Sequence, residues 1–181
     1  MSTLALNTLH TSEGYTINGG SANDRSGAWH FAGDINNDGF SDLIIGSDAS
    51  NDEVSKIHIV YGGNHLSSLD ANADGTIELS DITNDTNGFV IQGTNGGDLA
   101  GFSVSMADVN GDGISDLIIG APYVVDTPAG SLTHKGEAYI IFGDRLNTLD
   151  DIGADDGTVL LSDLVSGSNG FKITGVNNND L

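Results

Sequence analysis

The chain has 181 residues, with 26 Asp or Glu against five Lys or Arg, a formal net charge of −21 and a pI of about 4.1. That balance excludes a nucleic-acid binder, since nothing here could neutralise phosphates, and it opposes docking on anionic lipid. Disorder is opposed too: hydrophobic residues make up 38%, and runs such as Leu43-Ile44-Ile45 and Leu117-Ile118-Ile119 are built for burial.

The acidity is biased. Of the 26 acids, 22 are Asp and four are Glu (Glu13, Glu53, Glu78, Glu137), and Asp, Asn and Gly together supply 65 residues. Asp, Asn and Gly favour turns and caps, whereas Glu favours helices. The acids therefore belong in tight loops, where short oxygen-tipped side chains suit a calcium site. No cysteine is present, which removes disulfides, thiolate metal sites and cysteine nucleophiles. The N-terminus, Met1-Ser2-Thr3-Leu4-Ala5-Leu6, has neither the basic nor the long apolar region of a signal peptide. No apolar run is long enough to span a membrane as a helix, so no membrane insertion is expected.

Taken in chain order, short β-rich pieces between turns are expected near 15–18, 28–33, 42–46, 57–61, 89–92, 102–107, 117–121, 137–142 and 171–174, with short extended pieces at 76–82 and 158–164. No segment shows helical periodicity over ten residues. The chain also repeats itself. Gly14–Gly46 overlays Gly88–Gly120 without a gap, with 15 of 33 positions identical, and a third copy opens at Gly170-Phe171-Lys172-Ile173-Thr174-Gly175. Spacings of 74 and 82 residues suit a four-stranded sheet per repeat. The fold class is therefore all-β, built of β-propeller blades: two full blades plus one extra outer strand, an incomplete propeller. The division is a lead-in at 1–13, repeat 1 at 14–87, repeat 2 at 88–169 and the start of a third at 170–181. Leu6-Asn7-Thr8-Leu9 echoes Leu146-Asn147-Thr148-Leu149, each before a Gly-aromatic-x-Ile strand, so the chain is expected to begin and end on the last strand of a blade. Two blades do not close a ring of four or more. Further blades are expected, from the same chain or by self-assembly.

Each repeat carries one loop of the same design. Asp34, Asn36, Asp38 and Asp42 occupy positions 1, 3, 5 and 9 of the first, and Asp108, Asn110, Asp112 and Asp116 those of the second. Alternate residues of a loop wrapped round an ion point inward, Gly39 and Gly113 at position 6 permit the turn, and Phe40 and Ile114 at position 7 present carbonyls. Three carboxylates, an amide, a carbonyl and water supply the six to eight oxygens that Ca²⁺ takes. Two calcium ions are expected. A third candidate, Asp70, Asn72 and Asp74 within 70–81, fits an EF-hand-type spacing ending at Asp81. Its counterpart at 152–157 lacks the first and third ligands and no amphipathic helix precedes it, so a solvated turn is the alternative.

Other residues carry less. The five His (His10, His30, His58, His65, His134) form no metal motif, and His58, alternating with Ile57 and Ile59, is expected to face outward. Trp29 is expected to pack, a ligand platform being the other reading. Asp24 and Asp98, at matching positions, read as turn caps in preference to further metal ligands. No nucleophile elbow or His-paired Ser is visible, so no catalytic residue is assigned and no enzyme is expected.

The order Gly101-Phe102-Ser103-Val104, then 108–116, then Leu117-Ile118-Ile119-Gly120-Ala121-Pro122 and Gly136-Glu137-Ala138-Tyr139 resembles an FG-GAP repeat, the repeat of integrin α-subunit propellers and of many bacterial secreted proteins. Repeat 1 departs from it at Gly27-Ala28-Trp29 and at Gly46-Ser47-Asp48, with its metal loop intact. The resemblance implies calcium in the loop between the first two strands of a blade, a secreted or cell-surface bacterial location, and an extracellular adhesion module with a protein or glycan partner. The alternatives are a propeller domain of a larger polysaccharide-active enzyme and a spacer in a long surface repeat array.

Overall fold

The computed structural model describes residues 14–20, 25–47, 54–63, 66–70, 72–82, 87–124, 135–146, 158–164 and 166–177. The expected Asp24 cap, the 152–157 loop, the Leu6–Leu9 echo and His10, His65 and His134 lie outside them.

Two similar antiparallel sheets form the body. In the first, β2 (Trp29–Gly33), β3 (Asp42–Ser47) and β4 (Val54–Val60) run in succession, and the outer strand β6 (Gly88–Gly96) pairs with β4. In the second, β7 (Ser103–Ala107), β8 (Asp116–Ala121), β9 (Glu137–Ile141) and β11 (Gly170–Thr174) repeat the order. Each is one four-stranded blade, as the repeat implied. β4 starts at Val54 and β6 runs on to Gly96, both longer than their apolar runs suggested, because ladder pairing continues to Val54↔Gly96 past a bulge.

The segments at 76–82 and 158–164 have a definite role. Each is a three-residue strand followed by a 3₁₀ turn, β5 (Thr76–Glu78) and β10 (Thr158–Leu160). β10 leaves its own blade and pairs in parallel with β6 of the preceding one, Val159 opposite Ile91. β5 does the same to β1 (Thr16–Asn18), with Ile77 opposite Ile17. Each latch carries two apolar residues, Ile77 and Leu79 or Val159 and Leu161, and all four are buried.

The faces of the blades explain the core. Ile44, Ile57, Ile59 and Ile91 of blade 1 pack with Leu117, Ile119, Tyr139 and Ile141 of blade 2, and all eight are at most 1% exposed. The other face of blade 1, with Ile45 and Val60, is covered by Ile77 and Leu79, with Ile17 and Tyr15 packed against them. His58 lies on that covered face and is 5% exposed, so the expectation of an outward ring fails. Alternation is a sound guide to facing, but both faces of this sheet are covered. Trp29 does pack: its ring centroid lies 4.6 Å from that of Phe102, across the junction between blades.

Close approach of the blades needs glycine at the seam. A Cβ on Gly46 would stand 2.3 Å from the Gly101 carbonyl oxygen, a backbone atom that cannot step aside. At the matching Gly120, an added Cβ meets the Ser103 hydroxyl instead, which can rotate. Gly46→Ala should therefore cost about 2 kcal/mol or more, and Gly120→Ala clearly less. Urea melts of the two variants check this, and equal losses would refute the seam.

Candidate functional site: the Asp-Asn-Asp-Gly loops

The two loops join the first and second strands of their blades, β2 to β3 and β7 to β8. Asp34 accepts the Asp38 amide on Oδ1 at 3.1 Å and the Gly39 amide on Oδ2 at 2.9 Å. Asn36 Oδ1 accepts the same Asp38 amide at 3.0 Å, and its Nδ2 donates to Asp38 Oδ2 at 3.1 Å. Asp38 Oδ1 accepts the Phe40 amide at 2.8 Å. Asp108, Asn110 and Asp112 make the same set with Asp112, Gly113 and Ile114, and Asp108 also takes the Gly111 amide at 2.7 Å. Position 4 is left-handed in both, Asn37 at φ 58° and Gly111 at φ 79°, and so is position 6, Gly39 at φ 90° and Gly113 at φ 89°. A residue of short reach with a polar tip, or none at all, suits those angles.

Position 9 behaves differently. Asp42 and Asp116 are 1% and 0% exposed, whereas the rest of each loop is largely at the surface. Asp42 accepts the Ile35 amide at 2.8 Å on one oxygen and the Gly62 amide at 2.8 Å on the other. Asp116 accepts Val109 at 2.8 Å and Asn110 at 3.2 Å on one oxygen, and Gly143 at 3.1 Å on the other. Each carboxylate thus ties the loop entrance to the residue just past the third strand. Gly62 and Gly143 must be glycine there, because a Cβ would fall 2.1 and 2.2 Å from the carbonyl oxygens of Ser41 and Ser115. Burial raises the pKa of Asp42; the Gly62 and Ile35 amides oppose it, and the charges of Asp38 and Asp34 add to the rise.

Among the described residues, no three carboxylate or imidazole groups converge closely enough to hold a metal ion as they stand. The oxygens at positions 1, 5 and 9 lie on amides of the loop and its stem instead. The chemistry of the donor set fits a hard cation nonetheless. It is all oxygen, it is anionic, and each carboxylate has about four lone-pair sites, more than these amides occupy.

The third candidate takes the same turn. Asp70 accepts the Asp74 and Gly75 amides at 3.0 and 2.9 Å, Asp74 accepts Thr76 at 2.9 Å, and Asn72 donates to Asp74 at 3.0 Å. Ala73 and Gly75 are left-handed, at φ 56° and 82°. Position 9 here is Glu78, which accepts from Asn18 of β1 at 2.8 Å rather than closing the loop. Asp81, the twelfth residue, lies in the following 3₁₀ turn and shares a depression of about 210 Å³ with Asn72 and Glu78.

Asp98 is the cap its position suggested. It is 1% exposed and accepts the amides of Thr94 at 2.8 Å, Asn95 at 3.1 Å and Ala100 at 3.0 Å, and so shapes the turn leading to Gly101. Sequence reading missed a smaller network on β9 and β11. The Tyr139 hydroxyl donates to Glu137 at 2.6 Å, Lys172 pairs with Glu137 at 2.8 Å, and burial raises the pKa of Tyr139, with the Glu137 bond adding to the rise. The i, i+2 placement of Glu137 and Tyr139 on one strand face was the available signal.

The two kinds of Asp separate experimentally. Asp42→Ala strips the acceptor from two buried amides and should cost about 2–4 kcal/mol. Asp38→Ala frees only exposed donors and should cost about 1 kcal/mol or less. Urea denaturation in chelator measures both, and an Asp42 loss no larger than that of Asp38 would contradict the clamp.

Comparison with known proteins fits this geometry. The sequence profile of the FG-GAP repeat matches residues 31–60 and 100–141, segments that hold both loops and the strands around them. The phosphatidylinositol-glycan-specific phospholipase D of Mus musculus is 33% identical over 124 residues, which is 64% of this chain and 13% of that protein. The human form is 30% identical over 117 residues, 62% of this chain and 12% of that protein. Integrin alpha ina-1 of Caenorhabditis elegans is 46% identical over 44 residues, 24% of this chain and 4% of that protein. The chain thus spans a small part of the length of these relatives. Within residues 31–60 and 100–141, the two stretches that carry the loops, the chain matches the FG-GAP repeat.

Proposed function

We propose that this chain is a calcium-stabilised β-propeller interaction module that acts outside the cell, with no catalytic role of its own. The observation that carries the reading is the recurrence of one all-oxygen loop, Asp-x-Asn-x-Asp-Gly with a buried ninth-position Asp, in each of the two blades. Asp34, Asn36, Asp38, Asp42 and the Phe40 carbonyl would hold one ion, and Asp108, Asn110, Asp112, Asp116 and the Ile114 carbonyl the other. The Asp70, Asn72 and Asp74 loop is a candidate for a third. The ion would offset carboxylate repulsion in each loop, and its role is structural. The extracellular assignment rests on the millimolar calcium available there, and the partner class, protein or glycan, rests on the integrin alpha likeness.

The likeness to a phospholipase D favours a second reading, in which such repeats form the propeller of a larger enzyme. In both readings the metal loops serve the scaffold.

A ligand held only by the folded state adds about 2.7 kcal/mol per site at a concentration 100-fold above its Kd. For a chain of this length that is a rise of about 5–10 °C per site in the melting temperature. Melting in calcium should exceed melting in chelator by at least that amount, and Asp38→Ala and Asp112→Ala should each remove part of the gain. Identical melting in the two buffers would overturn the proposal.

A further inference from the structure

The two blades differ in what covers them. On blade 1 the face bearing Ile44, Ile57 and Ile91 is sealed by blade 2, and all three are 0% exposed. The repeat places Ile118, Ala138 and Ile173 at the same positions of blade 2. There Ile173 is 56% exposed, and a groove of about 710 Å³ opens along the sheet, bordered by Phe102, Gly120, Ala121, Tyr123, Ala138 and Ile173. Among the residues bordering the groove, Glu137 is the one that carries a carboxylate, and it is paired with Lys172 at 2.8 Å. The outer edge of β11 borders the same face: β9 is its partner in the sheet, and beyond that Gly170 at its start bridges Ser166.

The structure also shows what fits such a face. On blade 1 it receives the left-handed turn of blade 2 at Leu99 (φ 54°) and Gly101 (φ 90°), and the latch β10 pairs with β6 beside it. Blade 1 carries the same parts at its other end. Arg25 (φ 50°) and Gly27 (φ 86°) repeat the turn, a Cβ on Gly27 would meet nothing within 4 Å, and β5 repeats the latch. Among the described residues β1 is the partner of β5, in a two-stranded sheet of three residue pairs. β1 and β11 share one pattern, Gly14-Tyr15-Thr16-Ile17-Asn18-Gly19 and Gly170-Phe171-Lys172-Ile173-Thr174-Gly175.

We propose that a second copy of this chain docks head to tail on the open face of blade 2. The Arg25–Ala28 turn of one copy fills the groove of the next, and β11 replaces β1 on β5. The exchange remakes parallel pairs of the same kind, so its cost in hydrogen bonds is small, and the apolar groove and Ile173 are covered. The interface is heterologous, with different surfaces on the two partners, and it goes beyond the calcium reading because none of its parts belongs to the metal loops at 34–42 and 108–116.

Sedimentation equilibrium of the full chain at physiological salt, over a range from micromolar to near-millimolar, tests the assembly. The mass should rise with concentration beyond a dimer. Ile173→Asp, at an exposed position of the groove, and Ala28→Glu, which puts a charge on the inserting turn, should each hold the chain monomeric while keeping its strand circular dichroism. A mixture of the two variants should restore one intact interface and stop at a one-to-one dimer. A wild-type chain that stays monomeric throughout would overturn the proposal. So would a symmetric dimer, or an assembly that survives both substitutions.

Discussion

A buried carboxylate at the ninth position of each Asp-Asn-Asp-Gly loop sets the geometry on which the rest of a blade depends. Asp42 and Asp116 hold the first amides of their loops with one oxygen and the residue after the third strand with the other. Three strands are thereby fixed at one end by a single side chain. The cost is a charge removed from water, visible as the raised pKa of Asp42, and amide bonds offset only part of it. Nearby Asp34 and Asp38 add to that cost. A cation in the loop would lower all these terms together, which links the fold to the metal through electrostatics rather than through the motif alone.

The second constraint is steric. Glycine recurs wherever two backbones must touch: Gly46 against Gly101 at the seam, Gly62 against Ser41 and Gly143 against Ser115 at the clamps, and Gly88 and Gly170 against the carbonyls of Ile59 and Ile140 at the outer strands. The high glycine content is thus a packing requirement spread along the repeat. The latches β5 and β10 then bind each blade to its neighbour, so that the stability of one depends on the face offered by the other.

Much of this was legible in the sequence, because the repeat multiplies each signal. One Asp-x-Asn-x-Asp-Gly run is a turn, but two at the same offset before Asp-Leu-Ile-Ile-Gly define a unit and its four strands. Asp98 as a cap and Trp29 as packing followed from position. What escaped was anything set between repeats. His58 alternates as a half-exposed strand residue should, yet it is buried, on the face of blade 1 that segments far along the chain cover, with Gly20 beside its ring. The parallel latching of Thr76–Glu78 and Thr158–Leu160 is carried by three-residue segments too short to declare a partner. The dual character of the Asp set was hidden as well, since spacing shows that position 9 is Asp but not that both its oxygens are engaged.

The net charge of −21 takes on a different meaning against this structure. The acids gather in loops, three of which share one turn, while the groove on blade 2 is bordered by one carboxylate, Glu137, paired with Lys172. Calorimetric titration of calcium into the chelator-treated chain tests the central claim most directly. The account predicts saturable binding of at least two ions per chain, reduced by one in Asp38→Ala and by one in Asp112→Ala. Absence of saturable heat up to millimolar calcium would contradict it.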